Sequence, residues 1–300
     1  MSFSADTKTE LCRTQISAKC CAIAECYGLL LFCNTFSGER IKLITESEAL
    51  AGRLPKLFRR AFGFGFDQTP DRAEKTGKLI FSITDPEKIR KIFAVYGYEA
   101  DNILAHHVNL SVLEEDCCRH SFLRGAFFAG GSVTDPQKRY HLELVTSHFN
   151  VSRETRSILL DMDFAPKSTS RGGNYIIYFK QSESIEDFLT TIGAPISAMD
   201  IMSAKIRKDV YNSVNRRVNC DTANVTKTVD AAQAQLSAIS ALQKRDGLSS
   251  LPDKLRETAL LRLENPELSL TQLAELTDPP VTKSCLNHRL RKLMELAEKR

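Results

Sequence analysis

The residues best suited to chemistry lie near the C-terminal end of the chain. Lys283, Ser284, Asn287, His288 and Arg291 recur at one-, three- and four-residue spacings, which places them along one side of a helix. Asn can pair bidentately with adenine, and Arg or Lys with guanine, through base edges exposed in the major groove. Arg289 and Lys292 are placed to reach phosphates, and acids follow only at Glu295 and Glu298. The start of this helix therefore offers hydrogen-bond donors and positive charge to an anionic partner.

The other candidates are weaker. Nine cysteines occur, at Cys12, Cys20, Cys21, Cys26, Cys33, Cys117, Cys118, Cys220 and Cys285. None forms a C-x-x-C pair and none has the spacing of a zinc site. Neighbours such as Cys20 and Cys21 on a helix point about 100° apart, so they suit separate surroundings. The cysteines read as small apolar residues, most of them buried, and no metal site is expected. His106 and His107, read as a strand pair, face opposite sides; His120, His141 and His148 are scattered. No Ser-His-Asp or Cys-His arrangement is legible, so no catalytic residue and no cofactor are assigned. Arg171-Gly172-Gly173-Asn174 reads as a hairpin turn. Gly63-Phe64-Gly65-Phe66 reads as a loop without the following helix cap of a phosphate loop. Arg59-Arg60, Arg139, Arg207-Lys208 and Arg216-Arg217 read as solvated surface, unless the first domain meets DNA and they neutralise phosphates.

Three helices must position the C-terminal set. Leu251 to Glu264 forms the first, with Leu255, Ala259 and Leu263 on one face, and Asn265-Pro266 ends it. Ser269 caps the second, which carries Leu270, Leu273, Ala274 and Leu276. Asp278-Pro279-Pro280 forces a turn, because neither proline can donate a backbone hydrogen bond. Thr282 caps the third, whose core stripe is Leu286, Leu290, Leu293, Met294 and Ala297. A short helix, a tight turn and a helix exposing Lys, Ser, Asn, His and Arg make a helix-turn-helix with its recognition helix. The DNA-contacting set is Ser269, Thr271, Gln272, Thr282, Lys283, Ser284, Asn287, His288, Arg289, Arg291 and Lys292.

Upstream, helical and strand patterns alternate. Helices are expected over 16–32, 47–62 and 86–96, with strands over 39–45 and 79–84. The order recurs as a helix over 114–129, a strand over 140–146, a helix over 150–161, a strand over 174–180 and a short helix over 182–192. Gly28 and Gly125 are about 100 residues apart, which points to an internal duplication. A helix over 197–213, a hinge over 212–224 and a helix over 225–242 lead to the C-terminal domain.

The 300 residues suffice for two domains. A hydrophobic share of 42% and a charged share of 26% are those of an ordinary globular chain. The net charge of +4 is small, so a nucleic-acid surface would have to be local. No apolar run reaches the roughly 20 residues of a membrane span, and the polar N-terminus lacks the pattern of a signal peptide. A cytoplasmic, nucleoid-associated location is expected, with no membrane partner.

Phe122-Leu123-Arg124-Gly125-Ala126-Phe127-Phe128-Ala129-Gly130-Gly131-Ser132-Val133 resembles the LAGLIDADG motif of homing endonucleases. Ala24-Glu25-Cys26-Tyr27-Gly28-Leu29-Leu30-Leu31-Phe32-Cys33-Asn34 resembles a more worn first copy. With the helix-turn-helix behind them, nearly the whole chain resembles the WhiA family of sporulation and cell-division transcription regulators. The match is closest at Phe122 to Ser132, Asn215 to Thr228 and Leu251 to Lys292. The resemblance implies an α+β fold: a two-motif LAGLIDADG-like domain followed by an all-α helix-turn-helix domain. The expected boundaries are 1–217 (halves of about 1–110 and 111–217), 218–248 for hinge and linker helix, and 249–300. It also implies a regulator of cell division, chromosome segregation or sporulation genes.

A nuclease of this kind needs an acidic metal ligand at the end of each motif helix. The matching positions hold Cys33 and Gly130, and Asp135 lies beyond the expected helix end. Neither Cys nor Gly offers the hard oxygen that Mg²⁺ requires, so no cleavage is expected. The partner is double-stranded DNA, with other transcription regulators or RNA polymerase as further partners. Two rivals stand beside this reading: an active homing endonuclease, and an interaction scaffold working through the N-terminal domain.

Overall fold

The computed structural model describes residues 2–16, 18–70, 77–98 and 105–298. Contacts divide the chain into two units, Met1–Lys208 and Asp209–Arg300.

In the first unit α1 (Phe3–Leu11) starts at Ser2, whose side chain accepts from the Ala5 amide. Next comes α2 (Lys19–Leu31), buried from Ala24 through Leu31; it starts three residues later than the apolar pattern, read from Ile16, suggests. An apolar surface on all sides means burial on all sides, which places α2 at the centre of the unit. β1 (Thr35–Phe36) and β2 (Ile41–Thr45) follow. α3 (Glu48–Phe62) is capped by Ser47, and Arg53 lies on its buried face. β3 (Leu79–Ile83) completes an antiparallel sheet in the order β1-β2-β3. α4 (Pro86–Val95) opens with proline at its first turn under an Asp85 cap, where the missing N–H has no helical partner to lose.

The second half repeats the plan. α5 (Asp116–Gly130) is again central, with Phe122, Leu123, Ala126 and Phe127 fully buried. β4 (Gly131–Val133), β5 (Leu142–Thr146), α6 (Phe149–Asp161), β6 (Lys167–Arg171), β7 (Asn174–Phe179) and α7 (Ser182–Ile192) follow, and the sheet runs β4-β5-β7-β6. Gly172 and Gly173, at φ +56° and +79°, turn the β6–β7 hairpin, as two positive φ values in a two-residue turn require.

β1, β4 and β6 have no counterpart in the expected pattern. The first two are two or three residues long, and β6 is exposed throughout, so none carries an apolar signature. His106 and His107 lie in a loop, not a strand. The predicted hinge over 212–224 is helical as well: α8 (Pro195–Arg245) runs unbroken for 51 residues. Its Asn, Thr and Arg residues there are exposed; their modest intrinsic cost is below that of a helix-breaking Gly or Pro.

The second unit packs Ile239 and Leu242 of α8 with α9 (Asp253–Glu264), α10 (Leu270–Glu275) and α11 (Lys283–Glu298). Leu255, Ala259, Leu273, Ala274, Leu286, Leu290 and Leu293 complete its core. Met294 and Ala297 of the expected stripe are half-buried at its edge.

Candidate nucleic-acid interface and the motif ends

The turn before α11 is built by side chains. Ser269 accepts from the Gln272 amide, and the Ser269 amide donates to Gln272 Oε1 at 3.0 Å, a reciprocal cap that starts α10. Thr277, buried, donates to the Ala274 carbonyl at 2.9 Å and accepts from the Val281 amide at 3.0 Å. Thr282 accepts from the Cys285 amide and starts α11. Arg262 is 2% exposed; its Nε donates to Gln235 Oε1 at 3.0 Å and its Nη1 to the Leu268 carbonyl at 2.8 Å. It ties α9 to α8 and to the loop before α10. Burial holds its guanidinium below the ordinary arginine range.

About 100° of rotation per residue then sorts α11 into faces. Leu286, Leu290 and Leu293 turn inward. Ser284, His288 and Arg291 lie opposite them, with Lys283 and Asn287 along one edge, all exposed. Arg291 reaches toward Glu295 at 3.5 Å with its side chain 77% exposed, an ion pair worth little in solvent and easily exchanged for another acceptor. Arg289 and Lys292 lie on the other flank. With His288 they line a groove of about 530 Å³ whose far wall includes Leu242, Pro252 and Lys254. The sequence set therefore divides: Lys283, Ser284, Asn287 and Arg291 form one surface, Arg289 and Lys292 another, and His288 borders both. Thr271 and Gln272 are exposed on α10, whereas Ser269 and Thr282 act as caps.

In the first unit α2 and α5 pack backbone to backbone. A Cβ on Gly28 would stand 2.0 Å from the Phe122 carbonyl oxygen, and one on Gly125 would stand 2.0 Å from that of Glu25. At the ends of these helices stand Cys33 and Gly130, the positions where acidic ligands are expected in a nuclease of this kind. Cys33 Sγ donates toward the carbonyls of Leu30 and Thr35, and burial pushes this thiol up to about 12. A Cβ on Gly130 would meet the Val145 carbonyl oxygen at 2.2 Å, which leaves no room for a carboxylate side chain. Asp135 accepts from the Gln137 amide in the turn beyond β4.

Three features of the two units are not legible from the sequence patterns. Glu25, 2% exposed, lies between two guanidiniums: Arg53 reaches it at 2.7 and 2.9 Å and Arg124 at 3.1 Å. Arg262 plays its part in the second unit. The cysteines are not all in separate surroundings: the Sγ atoms of Cys20, Cys21, Cys117 and Cys118 lie within 4.8 Å of one another. The signal that could have found this cluster is the duplication itself. Gly28 and Gly125 are 97 positions apart, and so are Cys20 and Cys117, and Cys21 and Cys118.

Residues 119–211 match the model of the WhiA LAGLIDADG-like domain, and residues 214–297 that of the WhiA C-terminal HTH domain. A protein of Ruminiclostridium cellulolyticum named probable cell division protein WhiA is 40% identical, over 100% of this chain and 98% of its own length. A protein of the same name from Desulforamulus reducens is 39% identical over 100% and 96%. The crystal structure of full-length WhiA from Thermatoga maritima superposes with a TM-score of 0.61 at 26% identity, covering 100% of this chain and 99% of that one. The N-terminal LAGLIDADG domain of WhiA shares the fold at TM-score 0.51 and 21% identity, over 64% of this chain and 90% of that one. Two worn motif helices crossing at paired glycines, a helix-turn-helix behind them and full-length relatives together make this chain a member of the WhiA family.

Proposed function

We propose that the chain is a DNA-binding transcription regulator of cell division, chromosome segregation or sporulation genes, without nuclease activity. The observation that carries this reading is the exposed face of α11, where Ser284, Asn287 and Arg291 stand clear of the core on a helix held by a side-chain-built turn. Lys283, Ser284, Asn287, His288 and Arg291 reach base edges in the major groove. Thr271, Gln272 and the cap regions of Ser269 and Thr282 approach the flanking backbone. Arg289 and Lys292 serve phosphates from the other flank. Gly130 and Cys33 in the ligand positions support the absence of cleavage, since no carboxylate is there to hold a hard cation. Among the described residues no helix is long and apolar enough to cross a membrane, in keeping with a place at the nucleoid.

The test is a genome-wide binding profile of the full chain against Asn287→Ala/Arg291→Ala. Loss of discrete sites in the variant is expected, with each lost contact weakening specific binding by about 1–3 kcal/mol. Unchanged sites would move base reading to the first unit. Absence of sites in both proteins would favour a protein-binding role. One observation favours that role for the first unit alone: Ile44 and Ile80, cross-strand partners, are both exposed, an apolar pair suited to a protein partner such as another regulator or RNA polymerase.

A further inference from the structure

Four thiols from the two motif helices converge at one end of the helix pair. Cys20 and Cys21 lie in the first turn of α2, and Cys117 and Cys118 in the first turn of α5. The contacts run crosswise between the helices, Cys117 with Cys21 and Cys118 with Cys20. Among the described residues this is the one group of three or more His, Cys, Asp or Glu side chains gathered so closely. All nine cysteines are thiols.

We propose that Cys20, Cys21, Cys117 and Cys118 form a tetrathiolate site for a single zinc ion, built across the duplication at the paired N-terminal ends of α2 and α5. The mutual sulfur separation of no more than 4.8 Å is close to the need of such a site: Zn–S bonds of about 2.3 Å in a tetrahedron set the sulfurs about 3.8 Å apart. Contraction by about an ångström is within reach of side-chain rotation alone. A four-iron cluster would hold its thiolates farther apart than this, because each sulfur binds a different iron. The donor set selects by softness as well, since thiolates favour zinc over magnesium or calcium.

Three further observations fit. First, the two doublets occupy equivalent positions in the two halves, so the pseudo-twofold that pairs Gly28 with Gly125 also brings the doublets together. Second, neither helix has a side-chain cap: Ala18 and Glu115 make no capping hydrogen bond. The first-turn amides lack helical acceptors, and together with the positive end of each helix they favour the net negative charge of a zinc tetrathiolate. Third, Cys20 and Cys117 are exposed while Cys118 is buried, giving the ion a way in and a partly dry seat. Binding displaces one proton from each thiol, four in all, and no electron is transferred. The bound ion would clamp the two halves together through their central helices.

The test uses the full chain, purified under reducing, anaerobic conditions, and its Cys20→Ser/Cys117→Ser variant, which alters the two exposed ligands. Zinc content is measured by mass spectrometry after exhaustive dialysis, and Co²⁺ is added to the metal-free chain as a spectroscopic probe. About one zinc per chain is expected, together with the intense visible bands of tetrahedral Co²⁺–thiolate. The variant should retain its circular dichroism and hold at least tenfold less metal. Chelation should lower the unfolding midpoint of the wild type by several degrees and leave the variant unmoved. The proposal is overturned if the natively folded wild type binds no more zinc than the variant, if Co²⁺ gives the weak bands of oxygen ligation, or if iron–sulfur absorption appears instead.

Discussion

Glu25 is the centre of a buried ion network in the first unit. Its carboxylate faces both Arg53 and Arg124 in a core where all three are nearly inaccessible. The surplus positive charge is met by carbonyls: Arg53 donates to Thr14 at 2.5 Å and to Cys12 at 3.2 Å, and Arg124 to Ile192 at 2.6 Å. Removing one member of a buried ion network costs more than the network contributes, because charges remain without a counterion. Glu25→Ala is expected to lose about 3–5 kcal/mol of unfolding free energy in urea titration; a loss below about 1 kcal/mol would show that water reaches the two guanidiniums. The sequence hides this network because its partners are 28 and 99 residues away, and no periodicity links them. The grouping of Lys283, Ser284, Asn287, His288 and Arg291 on one exposed side of α11 was legible for the opposite reason, since they are neighbours on one helix and need only its pitch to be grouped.

At the scale of elements, the crossing of α2 and α5 decides the architecture. Each glycine faces a carbonyl of the opposite helix at a distance where no side chain fits. Gly125→Ala must push the backbones apart and is expected to destabilise by about 2–3 kcal/mol. Gly52, in the middle of α3, has nothing within 4 Å of the place where a methyl group would stand, and Gly52→Ala should stabilise by about 0.5–1 kcal/mol through the entropy glycine loses in a helix. Thermal unfolding of the two variants checks both signs; equal effects would refute the close-approach argument. The motif pattern made the role of Gly125 readable. The continuity of α8 was not, because a polar, Asn-rich stretch is as compatible with an exposed helix as with a hinge.

For the molecule as a whole, stability should depend on pH through buried histidine. His106 stacks on Phe36 at 5.0 Å, meets Tyr98 and His148 edge-on, and has no hydrogen-bond partner for Nδ1 among the described residues. Burial, with His148 and His107 nearby, lowers it to about 4, and burial lowers His148 too. The unfolded chain binds the His106 proton near pH 6.5 and the folded chain only near pH 4, so this group leaves folding unpenalised above 6.5 and destabilises the fold progressively as pH falls from 6.5 to 4. Urea midpoints between about pH 7 and pH 4 should therefore fall more steeply for the wild type than for His106→Phe. Parallel slopes would mean that His106 is protonated in the fold.

Local chemistry and repetition were enough to read the two-motif domain and the three-helix end. Each of these rests on residues within a few turns of one another, or on a pattern repeated along the chain. The tertiary structure alone decided how distant side chains meet: Glu25 with its two arginines, Arg262 with Gln235, Arg289 apart from Asn287, and four cysteines in one cluster. The physical reason is common to all of them. Helical and strand periodicity states which way a side chain points from its own element, whereas a buried charge, a groove or a metal seat depends on what stands opposite, and only the packing of elements supplies that.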